Sequence, residues 1–200
     1  MQPYTLKRWR NRLPHWEVER GTYFITIRCH DTMPRAVQNR IKELKESLEQ
    51  IESRSAEFDE LQRQIFLTAE KYLDRGEGFA PFLERSCCET FSKELASIAT
   101  DWHVGDWVIM PNHVHFVVLD KGSTVSLSAA LRAFKGRSAR ACNLSLGRSG
   151  SFWQRDWFDR WMRSETELAR VRRYISQNPV KAKLVENADD YPWVRIKDQS

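Results

Sequence analysis

Two short apolar runs joined by a Pro-Asn pair constrain the fold of this chain more than any other feature. The runs are WHVGDWVIM at residues 102–110 and HVHFVVL at residues 113–119. Aromatic and β-branched runs on either side of a tight turn predict an antiparallel hairpin. In the second run, residues 116–119 are apolar on both faces of the strand, which predicts a central position in the sheet.

Two histidines, His113 and His115, open this second strand. Residues two apart on a strand point to the same face and lie about 6.5–7 Å apart along the chain. At that spacing two imidazoles can share one metal ion, and they can equally form a hydrogen-bonded pair at a strand end. The spacing alone leaves both interpretations open, although burying two histidines without partners is costly.

The rest of the chain alternates between strand-like and helix-like patterns. Predicted strands cover 21–28 and 151–158, and predicted helices cover 35–56, 57–73, 86–100, a basic stretch from residue 127, and 165–178. Capping boxes at Ser86–Glu89 and Ser164–Glu167 predict two helix starts, and Pro179 is expected to end the last helix. Without residues 35–80 the order is βαββαβ followed by a helix. This order predicts an α+β fold with a ferredoxin-like antiparallel sheet, a C-terminal helix and a helical insertion after the first strand.

Charge is distributed unevenly over a chain of net charge +5. Residues 123–183 carry 13 basic and four acidic side chains, whereas residues 35–101 carry 10 and 14. The basic half predicts a polyanion-binding face. Candidate contacts to a nucleic-acid backbone lie on the helix after the hairpin and in a basic N-terminal arm at 1–14: Arg132, Lys135, Arg137, Arg140, Lys7, Arg8, Arg10 and Arg12.

Several classes of protein are disfavoured by composition. The four cysteines lack C-x-x-C spacing, which indicates reduced thiols. No apolar run reaches the ~20 residues that cross a bilayer, and the basic N-terminus is not followed by the apolar segment of a secretory signal. We therefore expect one cytoplasmic domain spanning residues 1–200, as a monomer or a homodimer.

The last predicted helix carries a second candidate pair, Tyr174 and Asn178, one turn apart at the edge of an apolar stripe. Both side chains could point towards the sheet, where the amide oxygen of Asn178 would be a third metal ligand beside the phenol. Two imidazoles and an amide oxygen with open positions suit Mg²⁺ or Mn²⁺. In isolation, Tyr174 is equally explained as a core aromatic residue, and Asn178 as a helix-end residue.

Taken together, these segments resemble one family, the REP-associated tyrosine transposases. MPNHVHFVV is similar to the HUH signature, in which a hydrophobic residue separates two histidines. The stretch SFWQRDWFDRWMRSETELARVRRYISQNPVKAKLV resembles the tyrosine-helix region of that family. GTYFITIR and YLDRGEG resemble its first strand and an inter-strand loop, so the resemblance covers residues 15–187.

The resemblance implies a ferredoxin-like fold, a divalent metal, and cleavage of single-stranded hairpin DNA through a covalent 5′-phosphotyrosine. It implies that His113, His115 and Asn178 hold the metal and that Tyr174 is the nucleophile. Arg170 and Arg173 flank that tyrosine and are candidates to contact phosphate or phenolate, whereas a solvated role is expected for Arg172.

Two features depart from the family pattern. Lys183 stands where a small residue, often glycine, is usual, and the 35–56 segment is longer than in minimal members. The first leaves the catalytic residues untouched, and the second predicts an added contact to DNA or to a partner, or a changed oligomer.

Three alternatives stay open at this stage. A protein of the same fold could bind hairpin DNA without cleaving it. An RNA-binding module would place stacking aromatic residues on the central strands, where this chain has histidines. A zinc site built from Cys87, Cys88 and His103 lacks the usual ligand spacing.

Overall fold

The computed structural model describes residues 5–10, 14–51, 55–96, 98 and 102–197, with the backbone alone at 5–10 and 14–17. The strands are β1 Thr5–Arg10, β2 Pro14–Val18, β3 Thr22–Arg28, β4 Trp102–Met110, β5 His113–Asp120, β6 Phe158–Trp161 and β7 Val194–Arg195. The helices are α1 Arg35–Glu49, α2 Ala56–Leu73, α3 Arg85–Leu95, α4 Leu127–Ser145 and α5 Glu165–Lys181. Among the described helices, none combines the length and apolar character that a membrane crossing requires.

Five of the strands form one antiparallel sheet in the order β6-β3-β5-β4-β7. Counted among the four strands expected from the βαββαβ pattern, this order is fourth, first, third, second. That is the ferredoxin-like arrangement, and the predicted fold class is confirmed. The predicted hairpin is β4–β5, and β5 lies at the centre of the sheet because its side chains are apolar on both faces.

The two faces of β5 pack against different helices. Val114, Phe116 and Val118 point to the face that α3 and α4 cover, in the larger of the apolar cores. Val117 belongs to a second core, on the opposite face, with side chains from α5 and with Phe66 of α2. Since alternate residues share a face, His113 and His115 also point towards α2 and α5.

The fourth strand of the pattern lies later in the chain than predicted. Residues 151–157 were expected to be its main part, but β6 covers only Phe158–Trp161. The preceding stretch crosses the end of β3, where Trp153 forms an isolated bridge with Cys29. The large aromatic side chains of this stretch predicted a strand, but they are aromatic because they fill the core. The indole of Trp153, for example, is buried and donates to the Ser138 hydroxyl at 3.1 Å.

One of the two predicted capping boxes is wrong and the other starts a helix as predicted. Helix α3 begins at Arg85, after Glu84, with no side-chain cap, so Ser86 lies inside the helix and not at its N-cap, and Glu89 pairs with Arg85 at 2.8 Å. Ser164 does cap α5: its hydroxyl accepts a hydrogen bond from the Glu167 amide at 3.2 Å.

The prediction that Pro179 ends the last helix is also wrong, since α5 continues to Lys181. A proline this close to the C-terminus removes only one intrahelical hydrogen bond. The helix ends in a Schellman motif, in which the Lys183 amide donates to the Val180 carbonyl and the Leu184 amide donates to the Pro179 carbonyl, both at 2.9 Å. Lys183 has a φ of 59°, the left-handed conformation that favours glycine, which explains why a small residue is usual there.

We expect Lys183→Gly to raise the free energy of unfolding by roughly 0.5–1 kcal/mol, because glycine adopts the left-handed conformation without the Cβ conflict. Chemical unfolding at neutral pH measures this. Lys181→Gly, inside the last turn and without a left-handed φ, is the matched variant and should lower stability.

The N-terminal segment was expected to be a basic arm, and in the structure residues 5–10 and 14–18 form a separate two-stranded antiparallel sheet of β1 and β2. Lys7, Arg8 and Arg10 lie on β1, and Arg12 lies outside the described residues. The predicted insertion is a helical hairpin, α1–α2, with small apolar cores of its own, and α1 ends earlier than predicted, at Glu49.

Candidate metal and tyrosine site

The strand register brings the two histidines to the end of the sheet that α2 and α5 cover. His115 lies opposite Thr26 of β3 and Val108 of β4, and His113 lies opposite Arg28 and Met110. Neither imidazole is exposed, and the two ring centroids are 4.7 Å apart. The sequence expectation that both side chains share one face is confirmed.

Neighbouring side chains orient the His113 ring. Nδ1 of His113 lies 2.8 Å from Oδ1 of Asn112, whose amide nitrogen donates to the Glu77 carbonyl at 3.1 Å. Because that donation fixes the amide orientation, the oxygen faces the imidazole and Nδ1 of His113 carries the proton. Its Nε2 therefore presents a lone pair, and Nε2 has no hydrogen-bond partner among the described residues.

His115 is held in a similar way. Its Nδ1 lies 2.8 Å from the Thr26 hydroxyl, and Phe24 stacks on its ring with centroids 5.5 Å apart. These contacts hold the ring with Nε2 directed away from Thr26, towards α2 and α5. Ring orientation by a polar partner on the second nitrogen is the usual arrangement of a metal-binding histidine.

A buried carboxylate, Glu70 of α2, completes the group and was missed by sequence reasoning. Its Oε2 lies 3.2 Å from Nε2 of His115 and accepts a hydrogen bond from the Tyr174 phenol. The ligand atoms of Glu70, His113 and His115 lie within 4.8 Å of one another, so the three residues could bind a metal ion. One signal for Glu70 was present: it follows Phe66 by four residues and precedes Leu73 by three, on the apolar face of α2.

Helix α5 places the predicted tyrosine and asparagine at the same end of the sheet. The phenol oxygen of Tyr174 lies 3.3 Å from Nε2 of His115, and its ring packs against Phe24 and Phe66. Asn178 is fully buried, and neither its amide oxygen nor its amide nitrogen has a hydrogen-bond partner within the described part of the chain. The four predicted site residues thus lie on two elements that are far apart in sequence: His113 and His115 on β5, and Tyr174 and Asn178 on α5.

Burial controls the protonation of these groups. It lowers the pKa of His113 to about 3, so that imidazole is neutral near pH 7. Burial and the negative charge of Glu70 raise the pKa of the Tyr174 phenol above its usual value. A neutral imidazole is a metal donor, and a protonated phenol needs compensating positive charge before it can become a nucleophile.

The donor set fits a divalent cation. Three buried atoms of the cluster have no hydrogen-bond partner among the described residues, namely Nε2 of His113, Oε1 of Glu70 and Oδ1 of Asn178. An unsatisfied buried polar atom costs about 1–3 kcal/mol, so each of these atoms is expensive to bury without a partner such as a metal ion. The zinc alternative has no such support: the described residues contain no metal-binding group at Cys87 and Cys88, which are buried free thiols.

The predicted phosphate contacts divide into two groups. Arg170 and Arg173 are exposed on α5, the helix that carries Tyr174. Arg132 and Arg140 are exposed on α4, on the opposite face of the sheet, together with Arg137, which pairs with Glu94 of α3 at 2.8 Å.

Two basic side chains have structural partners that the sequence did not reveal. The ammonium of Lys135 is buried and donates to the carbonyls of Gln154 and Arg155 at 2.7 and 2.8 Å, so the phosphate contact predicted for it conflicts with this structure. Arg172 was expected to be solvated, but it pairs with buried Asp106 at 2.6 Å. Asp106 lies at the bulge of β4, which directs its carboxylate towards α5.

Comparisons with known proteins agree with this fold. The family described as transposase IS200 like matches residues 80–178. A protein of Haemophilus influenzae, named as a candidate REP-associated tyrosine transposase, is 25% identical over 118 residues, which span 54% of this chain and 62% of that protein. The match therefore covers less than two thirds of that relative's length.

One solved structure extends the likeness over most of the chain. A REP-associated tyrosine transposase bound to a REP hairpin matches with a TM-score of 0.52 and 15% identity, covering 94% of this chain and 82% of that one. At this identity the likeness concerns the fold. The segment 80–178, just under half of the chain, is similar to the IS200-like transposases. Among these, the chain is similar to REP-associated tyrosine transposases, in part of its sequence and in its fold.

Proposed function

We propose that this chain is a metal-dependent single-stranded DNA endonuclease and strand transferase that acts on hairpin DNA through a covalent 5′-phosphotyrosine at Tyr174. The observation that carries the proposal is the 3.3 Å approach of the Tyr174 phenol oxygen to Nε2 of His115, whose neighbour His113 has an Nε2 without a hydrogen-bond partner among the described residues. A tyrosine that served only the core would have no need of a buried imidazole at its hydroxyl.

We assign His113, His115 and Asn178 to a divalent ion, Mg²⁺ or Mn²⁺. Within the part of the chain that the structure describes, Nε2 of His113 and the buried amide oxygen of Asn178 have no hydrogen-bond partner, and this supports the assignment. A divalent ion bound there would neutralise phosphate charge and polarise the phosphodiester for displacement.

Tyr174 supplies the nucleophile. Its oxygen attacks phosphorus in line, a Tyr–O–P bond forms, and the bond from phosphorus to the 3′-oxygen breaks. The phenol proton lies in a hydrogen bond to the Glu70 carboxylate, which is positioned to accept it, and the leaving 3′-oxygen takes a proton from water.

The products of this step are a 5′-phosphotyrosyl enzyme and a free 3′-hydroxyl. The bond energy is conserved, so another 3′-hydroxyl can reverse the step and rejoin the strands. One nucleophilic tyrosine carries one covalent end at a time, and exchange of two ends requires two active sites or two successive reactions.

Hairpin DNA is the partner we propose, by analogy with the related transposase bound to a REP hairpin. Exposed arginines on both faces would contact its phosphates: Arg132, Arg137, Arg140, Arg170 and Arg173. We also assign the β1 residues Lys7, Arg8 and Arg10 to this role.

Arg140→Ala is expected to weaken hairpin binding and to reduce the slope of log affinity against log salt by about 0.7–0.9, the value of one lost phosphate contact. Fluorescence anisotropy at several salt concentrations measures both quantities. Lys93→Ala, an exposed lysine on α3 in the acidic half of the chain, is the matched control and should leave the slope unchanged. An unchanged slope in Arg140→Ala would remove that residue from the interface.

Incubation with folded single-stranded oligonucleotides from the flanks of the gene, with Mn²⁺ or with EDTA, tests the proposal. A denaturation-resistant protein–DNA adduct that requires Mn²⁺ is expected. Tight binding of the oligonucleotides with no adduct and no cleavage would instead make the chain a non-catalytic hairpin-binding protein.

A further inference from the structure

We infer that Glu70 is a further protein ligand of the metal centre, beside His113, His115 and Asn178, and that the α1–α2 hairpin is the element that completes this centre. The inference rests on the proposed function in one respect, the presence of a divalent cation at His113 and His115. It adds a ligand from a helix that contributes neither the nucleophile nor the histidines, and it assigns a role to the helical insertion.

In the described part of the chain, Glu70 is buried without a basic side chain to balance its charge. Its side chain is 1% exposed, and a buried carboxylate is tolerated when a cation or a metal compensates it. Lys181 of α5, whose ammonium lies 5.7 Å from the centroid of the Tyr174 ring, pairs with Asp74 at 2.6 Å instead. Within the described ranges, the titratable partners in contact with Glu70 are His115 and Tyr174, so no lysine or arginine compensates the charge.

The donor atoms of Glu70, His113 and His115 lie close enough together to bind one metal ion. Oε1 of Glu70 and Nε2 of His113 lack hydrogen-bond partners among the residues described, and the ligand atoms of the three side chains lie within 4.8 Å of one another. Two imidazoles and one carboxylate form a common donor set for a divalent metal, and they leave coordination positions open for phosphate oxygens.

The segments that lead into and out of the α1–α2 hairpin meet at Gly78. This glycine has a φ of 79°, and a Cβ there would lie 2.2 Å from the Asp31 carbonyl oxygen. Helix α2 packs Phe66 against Phe24 and Phe158 of the sheet. Two partly exposed ion pairs, Asp59–Arg163 at 2.9 Å and Asp74–Lys181 at 2.6 Å, also hold the helix, and pairs of this kind contribute little. A metal that binds Glu70 would add to this attachment of the hairpin, because binding to one conformation stabilises that conformation.

Mn²⁺ titration by isothermal calorimetry, with the full chain and without DNA, tests the ligand assignment. Glu70→Gln keeps the shape of the side chain and removes its charge, and it is expected to weaken Mn²⁺ binding by at least about tenfold. Glu60→Gln is the matched control, because Glu60 is exposed on the same helix and pairs with Arg63; its Mn²⁺ affinity should equal that of the wild type. Equal affinity of Glu70→Gln and the wild type would overturn the inference.

Hydrogen exchange on the wild-type chain tests the coupling and needs no variant. Mn²⁺ is expected to slow exchange of the α2 amides around Glu70, and unchanged exchange in α2 at saturating Mn²⁺ would refute the coupling. The adduct assay separates this inference from the proposed function. If the wild type forms the adduct while Glu70→Gln binds Mn²⁺ normally, the inference fails and the function stands. If Glu70→Gln loses Mn²⁺ and the wild type forms no adduct, the function fails and the ligand assignment stands.

Discussion

Tyr174→Phe is expected to bind hairpin DNA with wild-type affinity and to form no covalent adduct. The substitution removes only the oxygen that would attack phosphorus, while the ring keeps its packing against Phe24 and Phe66. Loss of a covalent nucleophile reduces turnover by a factor on the order of 10⁴ or more. End-labelled oligonucleotides on denaturing gels, with Mn²⁺ present, measure adduct and cleavage together, and anisotropy measures binding.

Tyr191→Phe is the matched control for this experiment. Its hydroxyl also makes a partly buried structural contact, a hydrogen bond to the Ile109 carbonyl at 2.8 Å, but it lies outside the histidine cluster. Cleavage by this variant should equal that of the wild type. An adduct that persists in Tyr174→Phe, or loss of the adduct in both variants, would contradict the assignment of Tyr174 as nucleophile.

His113→Ala is expected to lose cleavage and Mn²⁺ binding together, with the affinity for Mn²⁺ reduced by about 10²-fold or more, because the variant removes the one imidazole whose Nε2 has no other partner among the described residues. Calorimetry and the cleavage assay measure the two losses. Adding EDTA to the wild-type chain should reproduce the loss of cleavage without changing the protein.

His103→Ala is the corresponding control, since His103 is an exposed histidine on β4. Because His113 is fully buried, thermal unfolding without metal must show that His113→Ala still folds cooperatively. Cleavage by a folded His113→Ala variant at the wild-type rate would refute the metal centre as proposed.

The sheet could be predicted from sequence because its pattern is local and redundant. A turn signal separates two strand-like runs, and β5 is apolar on both faces, so both the β4–β5 hairpin and the central position of β5 follow from alternation alone. The same reasoning misplaced β6, since Phe152 and Trp153 have the side chains of a strand but fill the core beneath a loop. Residue type cannot distinguish these two uses of an aromatic side chain.

The site could be predicted only in part, and the missed residue shows why. His113, His115 and Tyr174 lie on elements with strong periodicity, so their facing directions follow from strand and helix geometry. The acid at position 70 lies on a helix rich in charges, where an acidic residue is ordinarily solvated. Its role depends on how the α1–α2 hairpin packs on the sheet, a long-range contact that no local pattern reports.

Lys135 and Arg172 illustrate the same limit for basic residues. The role of each was predicted from its place on a helix. In the structure Lys135 donates to backbone carbonyls, and Arg172 pairs with the carboxylate of Asp106 at the bulge of β4. These partners are 19 and 66 residues away along the chain. Composition correctly gives the positive charge of the C-terminal half. It does not show which of its arginines are exposed and which, like Arg172, form structural ion pairs.

The open alternatives can now be compared with the structure. An RNA-binding sheet of the usual kind presents aromatic residues to solvent, whereas here both faces of the central strands pack against helices. The aromatic residues around His115 are Phe24, Phe66 and Tyr174, and they pack on one another. This arrangement favours an enclosed reaction site over an open stacking surface.

Peptide mapping of the trapped complex tests the central claim most directly. After reaction with a hairpin oligonucleotide in Mn²⁺, nuclease and trypsin digestion should release the peptide 174–181 with a nucleotide attached to its tyrosine through phosphate. Fragmentation that places the phosphate on Tyr174 is the result we predict. A covalent nucleotide on any other residue, with peptide 174–181 recovered unmodified from the same complex, would contradict the account.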